Sequence, residues 1–319
     1  MEREQFLMKL IKKVIMSVAA IVLALLIGGN VHASTTNSKE YTPKKLVIAF
    51  DPSSNAETME SKAQPFGKLL SKQLGIPVKV VVATNDDTMI EGMGSGKVDC
   101  AFLPPEGYVL AHQKYGVKVI LQSTRCAYKE PDDQMTHHLV KDFHAQILVR
   151  KGSGIKSLKD LRGKKIAVQS STSTAGWIWP VVALYKHGIN IYKDHIQTVQ
   201  VKGHDQGVMA VYNGSADACF VFQGARNIVK KDAPDVMQKV VPLYTTPAIP
   251  DDTVSVRGNM SPAFQKKLIN AFQTVAKSKQ GHKIIQEVYQ QQGYVKANNS
   301  DFNKVREYAK IMQKINQSK

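Results

Sequence analysis

Cysteine, tryptophan and acidic residues are the scarce components of this 319-residue chain, and each scarcity closes off a class of protein. Its three cysteines, Cys100, Cys126 and Cys219, are an odd number, which argues against a disulfide-stapled framework. Cys100 comes directly after Asp99 and Cys219 two residues after Asp217, inside the apolar runs Val98 to Leu103 and Ala216 to Phe222, and both read as buried small hydrophobes rather than catalytic thiols. None of the three stands near the N-terminus, where a lipid-modified cysteine would be needed. Asp and Glu number 26 against 43 Lys and Arg, a net charge of +17. That balance invites nucleic acid as a partner, yet the lysines are scattered over helix faces, with no basic block interleaved with aromatics. A solvated basic surface that favours anionic ligands is the better reading, with no nucleic-acid partner. Enzyme signatures are missing as well: there is no Gly-x-Ser-x-Gly elbow, no phosphate-cradling P-loop and no His-Glu-x-x-His. His137, His138 and His144 have no acidic partner at ligand spacing, so neither a metal nor a cofactor is expected.

A long apolar run occurs once, at the start. Arg3, Lys9, Lys12 and Lys13 precede the run Val14 to Ile27, and Val31-His32-Ala33 places small residues where a signal peptidase reads. This is a secretory leader spanning residues 1–33. The run is shorter than the roughly 20 residues that span a bilayer, and the alternative is an uncleaved anchor. The mature chain is expected outside the cytoplasmic membrane, with residues 34–43 as a flexible tether.

Beyond the tether, the chain alternates short β-branched runs with amphipathic stretches. Leu46 to Phe50, Val78 to Ala83, Val98 to Leu103 and Val117 to Gln122 read as strands, with helices between them. The rhythm restarts at Ala145, through Lys165 to Gln169, Ile196 to Val201 and Ala216 to Phe222, and beyond Ser261 the chain is helical and rich in Lys and Gln. The class is α/β, with two mostly parallel, helix-flanked sheets joined by crossover strands. The predicted lobes are residues 44–142 plus 250–319, and residues 143–249. Ligands of such sheets sit at the carboxyl ends of strands, and a cleft between two lobes closes by hinge motion.

The sharpest local signal is Ser170-Ser171-Thr172-Ser173-Thr174-Ala175-Gly176, directly between a strand and a helix. Unpaired N–H groups and the dipole at a helix N-terminus attract an anion. Ser and Thr are also ordinary N-caps, but one cap needs one hydroxyl and here there are five. Pro180 is predicted to kink the helix or delay its regular start. Asp51-Pro52-Ser53-Ser54-Asn55 has the same strand-to-helix setting, with Ser53 as the ligand candidate. Gly203-His204-Asp205 opens another helix, where His204 would donate to an oxyanion and Asp205 would orient it. Tyr108 and Trp177 read equally well as core, and Asp251-Asp252 as a turn cap or a partner for a ligand ammonium.

In order, these stretches resemble the phosphate/phosphite/phosphonate substrate-binding family of ABC importers. The residues that carry the resemblance are Pro52 to Thr58, Gly96 to Tyr108, Ser153 to Lys164, Ser173-Thr174-Ala175-Gly176, His204-Asp205, Asn213 to Ala218 and Ile249 to Asp252. The resemblance implies a two-lobe periplasmic-binding-protein fold of the type II kind. It implies that Ser173, Thr174 and the Ala175 N–H hold phosphonate oxygens, with His204 from the same lobe and Tyr108 from the other. Asp251 or Asp252 would meet the amine of an aminophosphonate. It also implies a small anionic ligand and an ABC permease as partners, with membrane association through that permease or a retained leader. The chain departs from the family pattern at Asp86, where relatives often carry an aromatic, at Gln223-Gly224, where many carry a carboxylate, and at Ala175, where others have Ser. Other ligand classes on this fold, such as a sulfonate or a thiamine precursor, an enzyme on the same architecture, and a sensor partner are the rival readings.

Overall fold

Apolar side chains that alternate with period two, bounded by turn residues, resolve into strands that are covered on both faces. The structure, a computed structural model, describes residues 39–318. The first unit runs β1 (Leu46–Phe50), α1 (Ala56–Leu74), β2 (Val78–Val82), α2 (Asp86–Gly94), β3 (Cys100–Leu103), α3 (Pro105–Tyr115), β4 (Lys118–Lys129) and β5 (Gln134–Val140). A short strand, β6 (Asp142–Phe143), crosses to β7 (Ala145–Arg150), β8 (Lys165–Val168), α4 (Trp179–Lys186), β9 (Gln197–Gln200), α5 (His204–Tyr212), β10 (Ala218–Phe222), α6 (Val236–Lys239) and β11 (Val240–Thr245). The chain returns through β12 (Ile249–Pro250) to β13 (Thr253–Val256), α7 (Pro262–Lys277), α8 (Lys279–Tyr289), β14 (Gln291–Lys296) and α9 (Asn303–Asn316). The predicted leader, residues 1–33, lies outside the described residues, as does the predicted tether up to residue 38. The described end of the tether is docked rather than free. The Tyr41 N–H donates to the Asn259 carbonyl (2.8 Å), and the Tyr41 ring lies 4.2 Å from the Arg257 guanidinium.

Two sheets form two lobes. The first has the order β14-β4-β13-β3-β1-β2 with β5 added to β4, and the second has the order β11-β7-β10-β8-β9. Both are mixed, which corrects the expectation of mostly parallel sheets. Among the described strands, only β1–β2 and β1–β3 pair in parallel in the first lobe, and β8–β9 and β8–β10 in the second. The crossovers cause this: a chain that re-enters a lobe from the cleft side must run its next strand against those that end there. Hence β13 is antiparallel to both β3 and β4, and β7 to both β10 and β11. Where the chain crosses, β6 and β12 form a two-stranded antiparallel ribbon, with Phe143 opposite Ile249.

Alternation sorts the cores. In β3, Cys100 and Phe102 face one buried cluster, with Phe50, Phe66 and Phe272, while Ala101 and Leu103 face another, with Met89 and Met93. In β10, Cys219 and Val221 point to one side of the second sheet and Ala218 and Phe220 to the other. The three cysteines are free, and Cys100 and Cys219 are buried.

Two arms of the first unit also reach the second lobe. The turn between β4 and β5 carries the buried Asp133, whose carboxylate lies 2.8 Å from Arg226 Nη2 after β10. The last helix, α9, lies between the lobes: Tyr308 stacks on Trp179 of α4 at 4.1 Å, while Phe302, just before it, meets Tyr108 of α3 at 4.9 Å.

Candidate functional site

The carboxyl ends of β1, β8 and β10 converge on a cleft between the lobes. Its larger section, about 650 Å3, is lined by Asp51, Ser53, Arg125, Tyr128, Phe143, Ser173, Thr174, Ala175, His204, Phe222 and Asp252, with Lys62, Lys230 and Lys231 toward the rim. A smaller section of about 340 Å3 shares Asp51, Ser53, Ser173 and His204 and adds Asp86, Ser170 and Lys202. The two are pinched apart where the His204 N–H donates to the Ser53 carbonyl across the lobes (3.1 Å).

The wall from the second lobe begins with the hydroxyl run after β8, and the structure sorts its members. Ser173 caps the turn, its Oγ accepting from the Gly176 N–H (3.2 Å). Thr174 Oγ1 accepts from the Glu106 N–H of α3 in the other lobe (3.0 Å). Both hydroxyls therefore keep a proton to donate. Ser170 and Thr172 instead donate to Asp86 Oδ2, at 3.1 and 3.5 Å, and Ser171 is exposed. Pro180 delays the regular helix as its missing N–H requires. A wide turn, Thr174–Ile178, precedes α4, and the Gly176 carbonyl accepts from the Gln169 N–H (3.1 Å). Gly176 itself is obligatory, because a Cβ there would lie 1.8 Å from Gln169 Cγ.

His204 opens α5 with its ring edge-on to Phe222 at 4.8 Å, and burial pushes its pKa down to about 3. It is a neutral imidazole whose Nδ1 has no protein partner. Asp205 does not orient it: this residue lies on neither cleft section, and its Oδ1 is buried without a partner.

The wall from the first lobe is acidic. Burial, then Asp86 and Asp252, hold the Asp51 carboxyl well above the ordinary range. Burial, then Asp251, push Asp252 up to about 7. Burial alone raises Glu106 to about 7. Arg125, though on the lining, is held by Asp251 through two hydrogen bonds of 2.6 Å.

Of the residues expected at the site, Ser53, Ser173, Thr174, Ala175 and His204 come together on the cleft. Besides Asp205, two do not. Tyr108 is fully buried between α3 and α9, where its hydroxyl donates to Asn299 Oδ1 (2.8 Å), and Asp251 is fully buried behind the lining as the partner of Arg125. Trp177 is core. Asp252, not Asp251, faces the cleft. Among the described residues there is no group of three His, Cys, Asp or Glu side chains placed to hold a metal. Arg125, Tyr128 and Phe143 were missed because their strands carry no anion-binding pattern; an arginine in the interior of a strand whose other charges are its two terminal lysines was the available signal. The Gln223-Gly224 departure is explained in part, since a Cβ at Gly224 would lie 2.6 Å from the Tyr128 ring.

A family model described as ABC transporter, phosphonate, periplasmic substrate-binding protein matches residues 48–302. The phosphate-import protein PhnD of Mycolicibacterium smegmatis is 29% identical over 208 residues, 63% of this chain and 62% of that protein, so the match spans less than two thirds of that relative. A binding protein component of an ABC phosphonate transporter from Pseudomonas aeruginosa has the same fold, with a TM-score of 0.74 at 19% identity over 85% of this chain and 87% of that one. So does PhnD1 of Prochlorococcus marinus, solved in complex with methylphosphonate, with a TM-score of 0.73 at 21% identity over 86% of this chain and 100% of that one. A family match that runs from β1 to the turn before α9, across both lobes and the cleft between them, shows that the chain belongs to the periplasmic phosphonate substrate-binding proteins of ABC transporters.

Proposed function

We propose that the protein captures a phosphonate, or the related phosphite or phosphate, outside the cytoplasmic membrane and delivers it to the permease of an ABC importer. Binding is reversible and involves no chemistry. The observation that carries this is the pair of hydroxyls at Ser173 and Thr174: each lines the cleft at the start of a helical turn and accepts from a backbone N–H, which leaves its own proton to donate. The Ala175 N–H, in the first turn, has no carbonyl within the helix to meet, and His204 adds a neutral ring. Two relatives named for phosphate import and for a methylphosphonate complex support the ligand class. Opening would pivot where the chain crosses between lobes, at residues 142–143 and 249–250. The leader of residues 1–33 supplies export.

Each hydrogen bond to a charged group contributes about 1.5–3 kcal/mol, so Ser173→Ala with Thr174→Ala weakens methylphosphonate binding at least tenfold by calorimetry. Affinity equal to that of the unaltered protein rejects the assignment.

A further inference from the structure

The two sections of the cleft differ in character, although Ser173 and His204 line both. The smaller is polar around them, with Asn85, Gln169 and Lys202 among its residues. The larger adds Tyr128, Met135, Phe143, Phe222, Ile228 and Val288 beside Thr174. Its volume of about 650 Å3 falls in the range of about 300–1,000 Å3 that encloses drug-sized ligands, far more than a methyl group on a phosphorus centre fills. Met135 is 54% exposed, one of the few large apolar side chains left open among the described residues, and Phe222 and Ile228 are half-buried. An apolar ligand body laid on these surfaces gains free energy by taking them out of water.

Cations stand at the rim of this larger section. Lys62 reaches it from α1 of the first lobe, and Lys230 and Lys231 from the segment after β10 in the second. All three are exposed, and no ion pair among the described residues holds any of them. The acids that share the lining are engaged elsewhere or belong to the wall of Asp51 and Asp252: Glu287 pairs with Lys283 at 3.8 Å, and Asp133 with Arg226 at 2.8 Å. Like charges brought to one rim from two lobes repel, so an anion set among them favours the closed arrangement. We infer that the larger section is a second subsite, and that the ligand is an organophosphorus compound whose extended apolar body ends in a second anionic group, met by Lys62, Lys230 and Lys231. This rests on the reading that Ser173 and Thr174 hold the phosphorus oxyanion.

The test is calorimetric titration of the full protein with methylphosphonate, hexylphosphonate and 6-phosphonohexanoate, the last two differing only in a terminal methyl against a carboxylate. Removing about 55 Å2 of apolar surface from water corresponds to a tenfold gain, so hexylphosphonate should bind at least about tenfold more tightly than methylphosphonate. At low ionic strength 6-phosphonohexanoate should gain about a further threefold, as exposed ion pairs allow, and lose that gain in high salt. Met135→Gln with Ile228→Gln should narrow the hexyl-to-methyl ratio by about threefold or more. Lys62→Gln with Lys230→Gln and Lys231→Gln should abolish the carboxylate's advantage and leave methylphosphonate affinity within about twofold. The unliganded Tm of each variant reports that it is folded. Hexylphosphonate no tighter than methylphosphonate, or a carboxylate that adds nothing, overturns the inference while leaving the oxyanion site standing. A carboxylate advantage that survives in the folded lysine variant overturns the assignment to this rim. A chain that binds none of the three phosphonates removes the oxyanion site and the inference together.

Discussion

The second lobe offers the cleft hydrogen-bond donors from one continuous stretch, Ser170 to Gly176, with His204 beside it. The first lobe offers carboxyl groups gathered from distant places, Asp51, Asp86 and Asp252, with Asp251 and Arg125 locked together behind them. The donor wall is cheap to build, since a helix start leaves N–H groups unpaired wherever it occurs. The acidic wall needs a scaffold, because buried carboxyl groups tend to remain neutral or demand a partner. Function by this comparison depends on the donors, and stability on how the acids are held.

The largest effect is expected where the acid scaffold is cut. The side chains of Arg125 and Asp251 are 5% and 0% exposed, and removing one partner of a buried pair costs about 3–5 kcal/mol. Arg125→Ala should lower the unliganded Tm by about 10 °C, whereas Arg125→Met with Asp251→Leu should recover much of it, because the stranded charge is gone. Ser173→Ala with Thr174→Ala should leave Tm within a few degrees. If the double apolar variant melts as low as Arg125→Ala, the pair is not what holds this wall.

The same contrast explains what the sequence disclosed. The donor wall is contiguous, so Ser173, Thr174 and Ala175 were legible from a strand, a hydroxyl run and a helix start, and Pro180 foretold the delayed helix. The acidic wall is assembled by topology: Asp51, Asp86 and Asp252 are neighbours only because β2, β1, β3 and β13 lie in that order. Nothing local distinguishes Asp252, which faces the cleft, from Asp251, which turns inward to Arg125. The strand and helix rhythm was legible, but parallelism was not, since the direction of β7 and β13 depends on which side the chain re-enters. Likewise Val305, Tyr308, Met312 and Ile315 mark α9 as amphipathic without saying that its stripe serves both lobes.

A smaller effect comes from pH. Asp252 and Glu106 hold their protons to about 7 when folded, both chiefly through burial, whereas unfolded carboxyls titrate near 4. Over that interval the folded state binds more protons than the unfolded one, so stability falls as pH rises and levels off above the folded values. His204, pushed down to about 3, acts in the opposite sense but only up to the ordinary histidine value of about 6.5. The clean window is therefore about pH 6.5 to 8, over which the unliganded Tm should drop. Asp252→Asn with Glu106→Gln should flatten the slope. A Tm that rises across this window would mean that these acids are not buried.

The smallest effect separates a family expectation from this molecule. If Tyr108 touched the ligand, Tyr108→Phe would weaken binding about as much as losing Ser173. Here its hydroxyl donates to Asn299, which also receives Arg306, and its ring packs on Phe302. Phenylalanine keeps the ring contact and gives up one neutral hydrogen bond, about 0.5–1.5 kcal/mol, with Arg306 still on the Asn299 oxygen to soften the loss. The substitution should lower Tm by about 2 °C and leave methylphosphonate affinity within about twofold. A tenfold loss of affinity at unchanged Tm would place Tyr108 on the ligand and require α3 and α9 to part when the ligand binds.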